Sequence, residues 1–145
     1  MSDPTVDRWK QKGQVALWRL RPRRERFEWH LAADNEACRA LAELIELMKA
    51  ARWPSQKAIV LAHPERTATC GPNDRPPKFA AKLCLKYAKD SGDDELWEFT
   101  VDESLVRLVL GRVYIDEFAR AVDDMSQGRG DYAIGPKRDL WIWWW

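Results

Sequence analysis

A chain of 145 residues, 46% hydrophobic and 32% charged, has the composition of one globular domain with a real core. A formal net charge of +1 excludes nucleic acid and an anionic membrane as default partners, and no apolar run approaches transmembrane length. Three cysteines, Cys38, Cys70 and Cys84, are an odd number without CxxC spacing, which excludes a disulfide framework and points to reduced thiols in a cytoplasmic protein.

Residues 1–13 are polar apart from Val6 and Trp9 and read as a flexible N-terminal arm with no signal-peptide h-region, Trp9 serving as an anchor. From Gln14 to Arg21 the chain alternates: Ala16, Trp18 and Leu20 share one face, and Val15, Leu17 and Arg19 the other. Phe27 to Ala33 alternates again, with Phe27, Trp29 and Leu31 together, so the two runs predict an antiparallel hairpin across Pro22–Glu25. Asp34 or Asn35 is a good N-cap, and Ala37, Leu41, Leu44, Ile45 and Met48 keep helical spacing, which predicts a helix over about 35–51. Lys57 to Ala62 is a short apolar run and reads as a buried strand. Residues 63–78 hold four prolines, Pro64, Pro72, Pro76 and Pro77, and read as a long loop.

Phe79 to Lys89 fits a strand with Ala81, Leu83, Leu85 and Tyr87 inside, because a helix would expose Leu85; its alanine and lysine content favours the helical alternative. Trp97, Phe99 and Val101 alternate as a further strand, and Leu105 to Leu110 returns as another, with a short helix over 103–110 as the alternative. Ile115, Phe118, Ala119, Val122 and Met125 form one stripe, predicting a second helix over about 115–127 with Gly128 as its C′ residue. The chain closes with a hairpin of Tyr132–Ile134 and Leu140–Trp145. In the last strand, Trp141, Trp143 and Trp145 line one face, and Leu140, Ile142 and Trp144 the other. Neither face is polar, so this is expected to be an interior strand or a subunit interface, with at least two buried indoles, Trp141 and Trp143 foremost. The order predicts an α+β fold: a mostly antiparallel sheet carrying two amphipathic helices, about 35–51 and 115–127, in a single domain spanning 14–145.

The residue types that carry chemistry have structural readings beside the functional ones. Arg19, Arg21, Arg23, Arg24 and Arg26 gather at the tip of the first hairpin and suit phosphate or partner recognition, but a solvated turn is the better reading in a nearly neutral chain. The carboxylates Asp93, Asp94, Glu95, Asp102, Glu103, Asp116, Glu117, Asp123 and Asp124 show no metal-loop spacing; they sit in predicted turns or on the second helix, so no metal site is expected. The two histidines, His30 and His63, form no HxxxH or HExxH motif; His63 with Cys70 is the one arrangement that resembles a nucleophile and base. Arg129-Gly130-Asp131 is read as turn chemistry, with Gly128 and Gly130 giving backbone freedom. GxxxxGK[ST], GxGxxG and GxSxG are all absent, and no cofactor is expected.

Phe118, the run Gly128-Arg129-Gly130-Asp131-Tyr132-Ala133-Ile134-Gly135 and the closing Leu140-Trp141-Ile142-Trp143-Trp144 resemble the tail of small uncharacterised bacterial α+β proteins, some of which look like immunity proteins of polymorphic toxin systems. The resemblance covers only this last part of the chain and carries no functional residues with it. It implies a bacterial cytoplasmic protein that binds a partner and catalyses nothing. Nine tryptophans support the same expectation, because indoles are favoured at interfaces as well as in cores. The expected function is therefore a non-enzymatic protein-binding module, immunity-like or accessory. Its partner is another protein or a second copy of itself, met through Trp144, Trp145, Arg23 and Arg24. The alternative is a small enzyme or ligand-binding protein with a pocket under the 63–78 loop.

Overall fold

The first alternating pair becomes strands β1 (Val15–Arg19) and β2 (Trp29–Ala33), antiparallel from Val15 opposite Ala33 to Arg19 opposite Trp29, in a computed structural model that describes residues 3–19, 29–63, 78–138 and 140–145. The turn at 22–25 and the loop residues 64–77 lie outside the described residues. Both faces of these strands are apolar, and from Val15 to Trp18 and Trp29 to Ala33 every residue is buried. A strand covered on both faces belongs inside a layered fold.

The segment expected as an arm forms a short helix, α1 (Pro4–Arg8), started by the Asp3 carboxylate and by proline in the first turn. Val6 is buried, and the buried Trp9 donates its indole N–H to the Ala40 carbonyl at 2.8 Å. Helix α2 (Asn35–Ala50) is the first predicted helix. The Asp34 carboxylate accepts from Ala37 N at 2.8 Å and from Gln14 N at 3.0 Å, so one side chain caps the helix and ties it to the start of β1. At the other end Lys89 Nζ donates to the carbonyls of Lys49 (2.8 Å) and Ala51 (2.7 Å), answering orphan acceptors at the negative end of the dipole.

Strand β3 (Ser55–Val60) follows, and here the structure corrects the expectation of a buried strand. Ser55 and Ile59 face inward, while Ala58 and Val60 are exposed, because β3 is an edge strand with one free face. Gln11 lies along that edge: its side-chain amide donates to Val60 O at 2.7 Å and accepts from Val60 N at 2.8 Å, as a neighbouring strand would. Strands β4 (Lys78–Phe79), β5 (Lys82–Tyr87), β6 (Trp97–Asp102) and β7 (Leu105–Leu110) come next. The strand reading of 79–89 holds, with Leu83, Leu85 and Tyr87 buried, although Ala81 is exposed just before β5 begins. The strand reading of 105–110 holds as well.

Helix α3 (Arg112–Ser126) starts three residues earlier than its apolar stripe suggested, behind Gly111, and buries Ile115, Phe118, Ala121, Val122 and Met125. Gly128 has φ +71°, the left-handed conformation expected after a helix end. Strands β8 (Tyr132–Ile134) and β9 (Leu140–Trp144) close the chain as an antiparallel hairpin.

The α+β class holds, with nine strands among the described residues divided between two mixed sheets. One sheet has the order β4-β1-β2-β9-β8 and the other β3-β5-β7-β6. Pairing is antiparallel except for β2 with β9 and β5 with β7. Helix α2 carries the chain from the first sheet to the second, and α3 carries it back. The inner faces of both sheets share one core with the helices, built on Leu17, Leu31 and Ile142 from the first sheet, Leu85 and Leu108 from the second, and Leu44, Ile45 and Phe118 from α2 and α3. The Trp29 and Phe99 rings, 5.6 Å apart, join the two sheets directly.

Candidate functional site

The first sheet has a second covered face. In register across the strands stand Phe79 of β4, Trp18 of β1, His30 of β2 and Trp141 of β9, and beside this row Ala16, Ala32 and Trp143. Period-two alternation puts them there: each is one residue away from a side chain that enters the main core. Ala16, Trp18 and Ala32 form a separate small core against Phe79 and Trp143. Trp18 stacks on His30 with centroids 5.6 Å apart and planes 19° from parallel, and Trp141 stacks on Trp143 at 6.3 Å and 23°.

His30 is the one polar side chain in this face among the described residues, and it is only 4% exposed. Its Nδ1 accepts from Trp143 Nε1–H at 2.9 Å. Burial pushes its pKa down to about 4, so the ring is neutral at physiological pH. Among the described residues, its Nε2 and the Nε1 of Trp141 are buried without a hydrogen-bond partner. Sequence reading weighed His30 only as a metal ligand and missed this environment. The available signal was a lone polar residue in Trp29-His30-Leu31-Ala32-Ala33, on the alternation face shared with Ala32.

The expected contact residues fall in different places. Trp144 and Trp145 are each 46% exposed, which leaves two neighbouring indoles open at the end of β9. Trp141 and Trp143 are half-buried, not buried as expected: the aliphatic residues of the opposite parity, Leu140 and Ile142, take the core side beneath α3, and the broader indoles are left to the outer face. Arg23 and Arg24 lie outside the described residues, as does Cys70, so the geometry of the His63–Cys70 pair is not described. His63 itself is exposed, with its ring 5.2 Å from Phe79.

The carboxylates have structural partners. Asp94 pairs with Arg112 at 3.2 Å and Asp116 with Lys49 at 2.8 Å, while Asp123 accepts from Gln127 at 3.0 Å. Asp124 accepts from the Tyr132 hydroxyl at 2.7 Å; burial, and then this bond, push the phenol pKa well up. Among the described residues no group of three or more His, Cys, Asp or Glu is placed to hold a metal ion. The buried Cys38 thiol is pushed up to about 11 by burial and then by Asp34, which keeps it protonated and poorly nucleophilic. Among the described residues no helix is long and apolar enough to cross a membrane. No family model, no curated protein and no solved structure matches this chain.

Proposed function

We propose that this chain is a non-enzymatic module of the bacterial cytoplasm that binds another protein, in an accessory or immunity-type role, through the open end of β9. The observation that carries this reading is the pair Trp144 and Trp145, each 46% exposed at the end of a strand whose Leu140 and Ile142 are core residues. An indole offers a large apolar contact with few torsions to fix, and tryptophans are prominent among the residues that carry binding energy at protein interfaces. Trp143 braces Trp144, with ring centroids 6.2 Å apart. The test is a Trp144→Ala/Trp145→Ala double variant, compared with the parent chain in light scattering and in gentle co-purification from a bacterial host. Loss of a stoichiometric complex or dimer at unchanged melting temperature supports the reading. A parent chain that stays monomeric and captures no stoichiometric partner rejects it.

A further inference from the structure

Alternation in the second sheet sends Leu83, Leu85 and Tyr87 of β5 and Val106, Leu108 and Leu110 of β7 into the core, while Trp97 and Phe99 of β6 pack against it. The residues between them stand on the outer face. Register sets Lys86, Val109 and Glu98 in one row across β5, β7 and β6, and Lys82, Leu105 and Asp102 in another, with Arg107 between the rows on β7. Lys82, Leu105, Arg107, Glu98 and Asp102 are exposed, and Lys86 and Val109 are half-buried. On the far side of β5, the outward residues of β3 are Gln56, Ala58 and Val60, none of them charged. The face is therefore basic along β5, acidic along β6 and apolar around Arg107 between them. Each lysine stands at the same height along the strands as one carboxylate.

We propose that this face binds a second copy of the chain about a twofold axis parallel to β7, each copy laying its β5 over the β6 of the other. Rotation about such an axis exchanges the two sides of the face and leaves heights along the strands unchanged. Lys86 of each copy then meets Glu98 of the other, Lys82 meets Asp102, and Leu105 and Val109 meet their own counterparts. A twofold axis across the strands would set lysine over lysine and carboxylate over carboxylate, so the charge pattern selects the first. Aligned sheets pack about 10 Å apart, a gap that a lysine and a carboxylate side chain span together. A wholly acidic partner would answer the lysines and be repelled at Glu98 and Asp102, and a wholly basic one the reverse. A surface with both columns at this spacing satisfies both, and a second copy carries it. Arg107 stands on the axis and faces its own counterpart, which holds the affinity down. Exposed ion pairs are individually weak, so the dimer is weak and salt-sensitive. This inference stands apart from the protein-binding reading, which uses the end of β9.

The experiment is sedimentation equilibrium of the full chain. The parent should show a monomer–dimer equilibrium at low salt that weakens as salt rises. Lys82→Glu/Lys86→Glu and, separately, Glu98→Lys/Asp102→Lys turn the attractions between copies into repulsions, and each should weaken self-association at least about tenfold. An equimolar mixture of the two variants should associate again, because the β5 and β6 columns are then acidic in one chain and basic in the other. That rescue also shows that both variants fold. Arg107→Gln should tighten the dimer by removing the like charges on the axis, and Trp144→Ala/Trp145→Ala should leave it unchanged. A parent that stays monomeric at low salt leaves the face to some other protein and overturns the proposal. So does a dimer indifferent to salt, a mixture of variants, folded by circular dichroism, that does not associate, or a looser dimer in Arg107→Gln. A dimer lost in the Trp144→Ala/Trp145→Ala chain assigns self-association to the end of β9 and overturns it as well.

Discussion

At the residue scale, the burial of His30 makes the fold sensitive to acid. Its Nδ1 lone pair holds the Trp143 indole, and protonation would put a proton in that bond. The folded pKa, about 4, lies below the ordinary 6.5, so between these values the unfolded chain binds the extra proton first. The contribution is fully present above 6.5 and is lost as pH falls towards 4. Its full size is about 3 kcal/mol from the linkage arithmetic. Because carboxylates titrate nearby, the measurement is a difference: urea unfolding of the parent and of His30→Gln at pH 7, 5.5 and 4. The parent should lose stability relative to the variant across that window, and parallel curves would contradict this account. The residues that determine this behaviour were visible in the sequence, but their meaning was not. Nothing in the chain's order tells that a residue near the start and another near the end share a hydrogen bond.

At the element scale, helix α2 is the part most legible from sequence, because local chemistry specifies it twice. Its apolar stripe fixes its buried face and Asp34 fixes its start. Asp34→Ala removes acceptors from both Ala37 N and Gln14 N and should cost about 1–2 kcal/mol in chemical denaturation. Gly13 belongs to the same junction. Its φ is +71°, and an added Cβ would stand 2.3 Å from Ala37 N and 2.3 Å from Asp34 Oδ1. Gly13→Ala therefore meets both left-handed strain and a backbone clash, and it should cost more than about 2 kcal/mol, read by the same unfolding assay. Strand β3 was less legible. An apolar run looks the same in an edge strand as in a central one, and only the neighbour across the sheet separates the two.

At the scale of the whole molecule, β9 is the joint. It pairs in parallel with β2 and antiparallel with β8, so the last residues of the chain bind the first hairpin to the closing one. Removing residues 140–145 unpairs β2 and β8 together and withdraws Leu140 and Ile142 from the core. Each buried aliphatic side chain contributes about 1.5–3 kcal/mol, against a total stability of about 5–15 kcal/mol, before the lost strand pairing is counted. The truncated chain should lose its near-ultraviolet circular dichroism signal and its cooperative melt. Trp145→Ala, at a residue 46% exposed beyond the strand's end, should shift stability by less than about 0.5 kcal/mol.

The sequence by itself determined the periodicities of the clearest runs and which of their side chains share a face, while 79–89 and 103–110 stayed open between strand and helix. These are local properties, set by alternation at 15–19 and 97–101 and by the stripes of α2 and α3. It also marked the closing strand as interior, because an apolar run on both faces cannot stand in water. Only the tertiary structure decided that the strands divide into two sheets, that β9 returns to lie parallel to β2, and that the anchor Trp9 meets Ala40 of α2. It alone turned Trp141 and Trp143 outward to meet His30. Pairing partners are chosen by contacts between segments far apart in the chain, and each segment's own pattern is compatible with several neighbours. The outer aromatic face exists only once that choice is made, and so the candidate site was legible as a list of residues but not as a place.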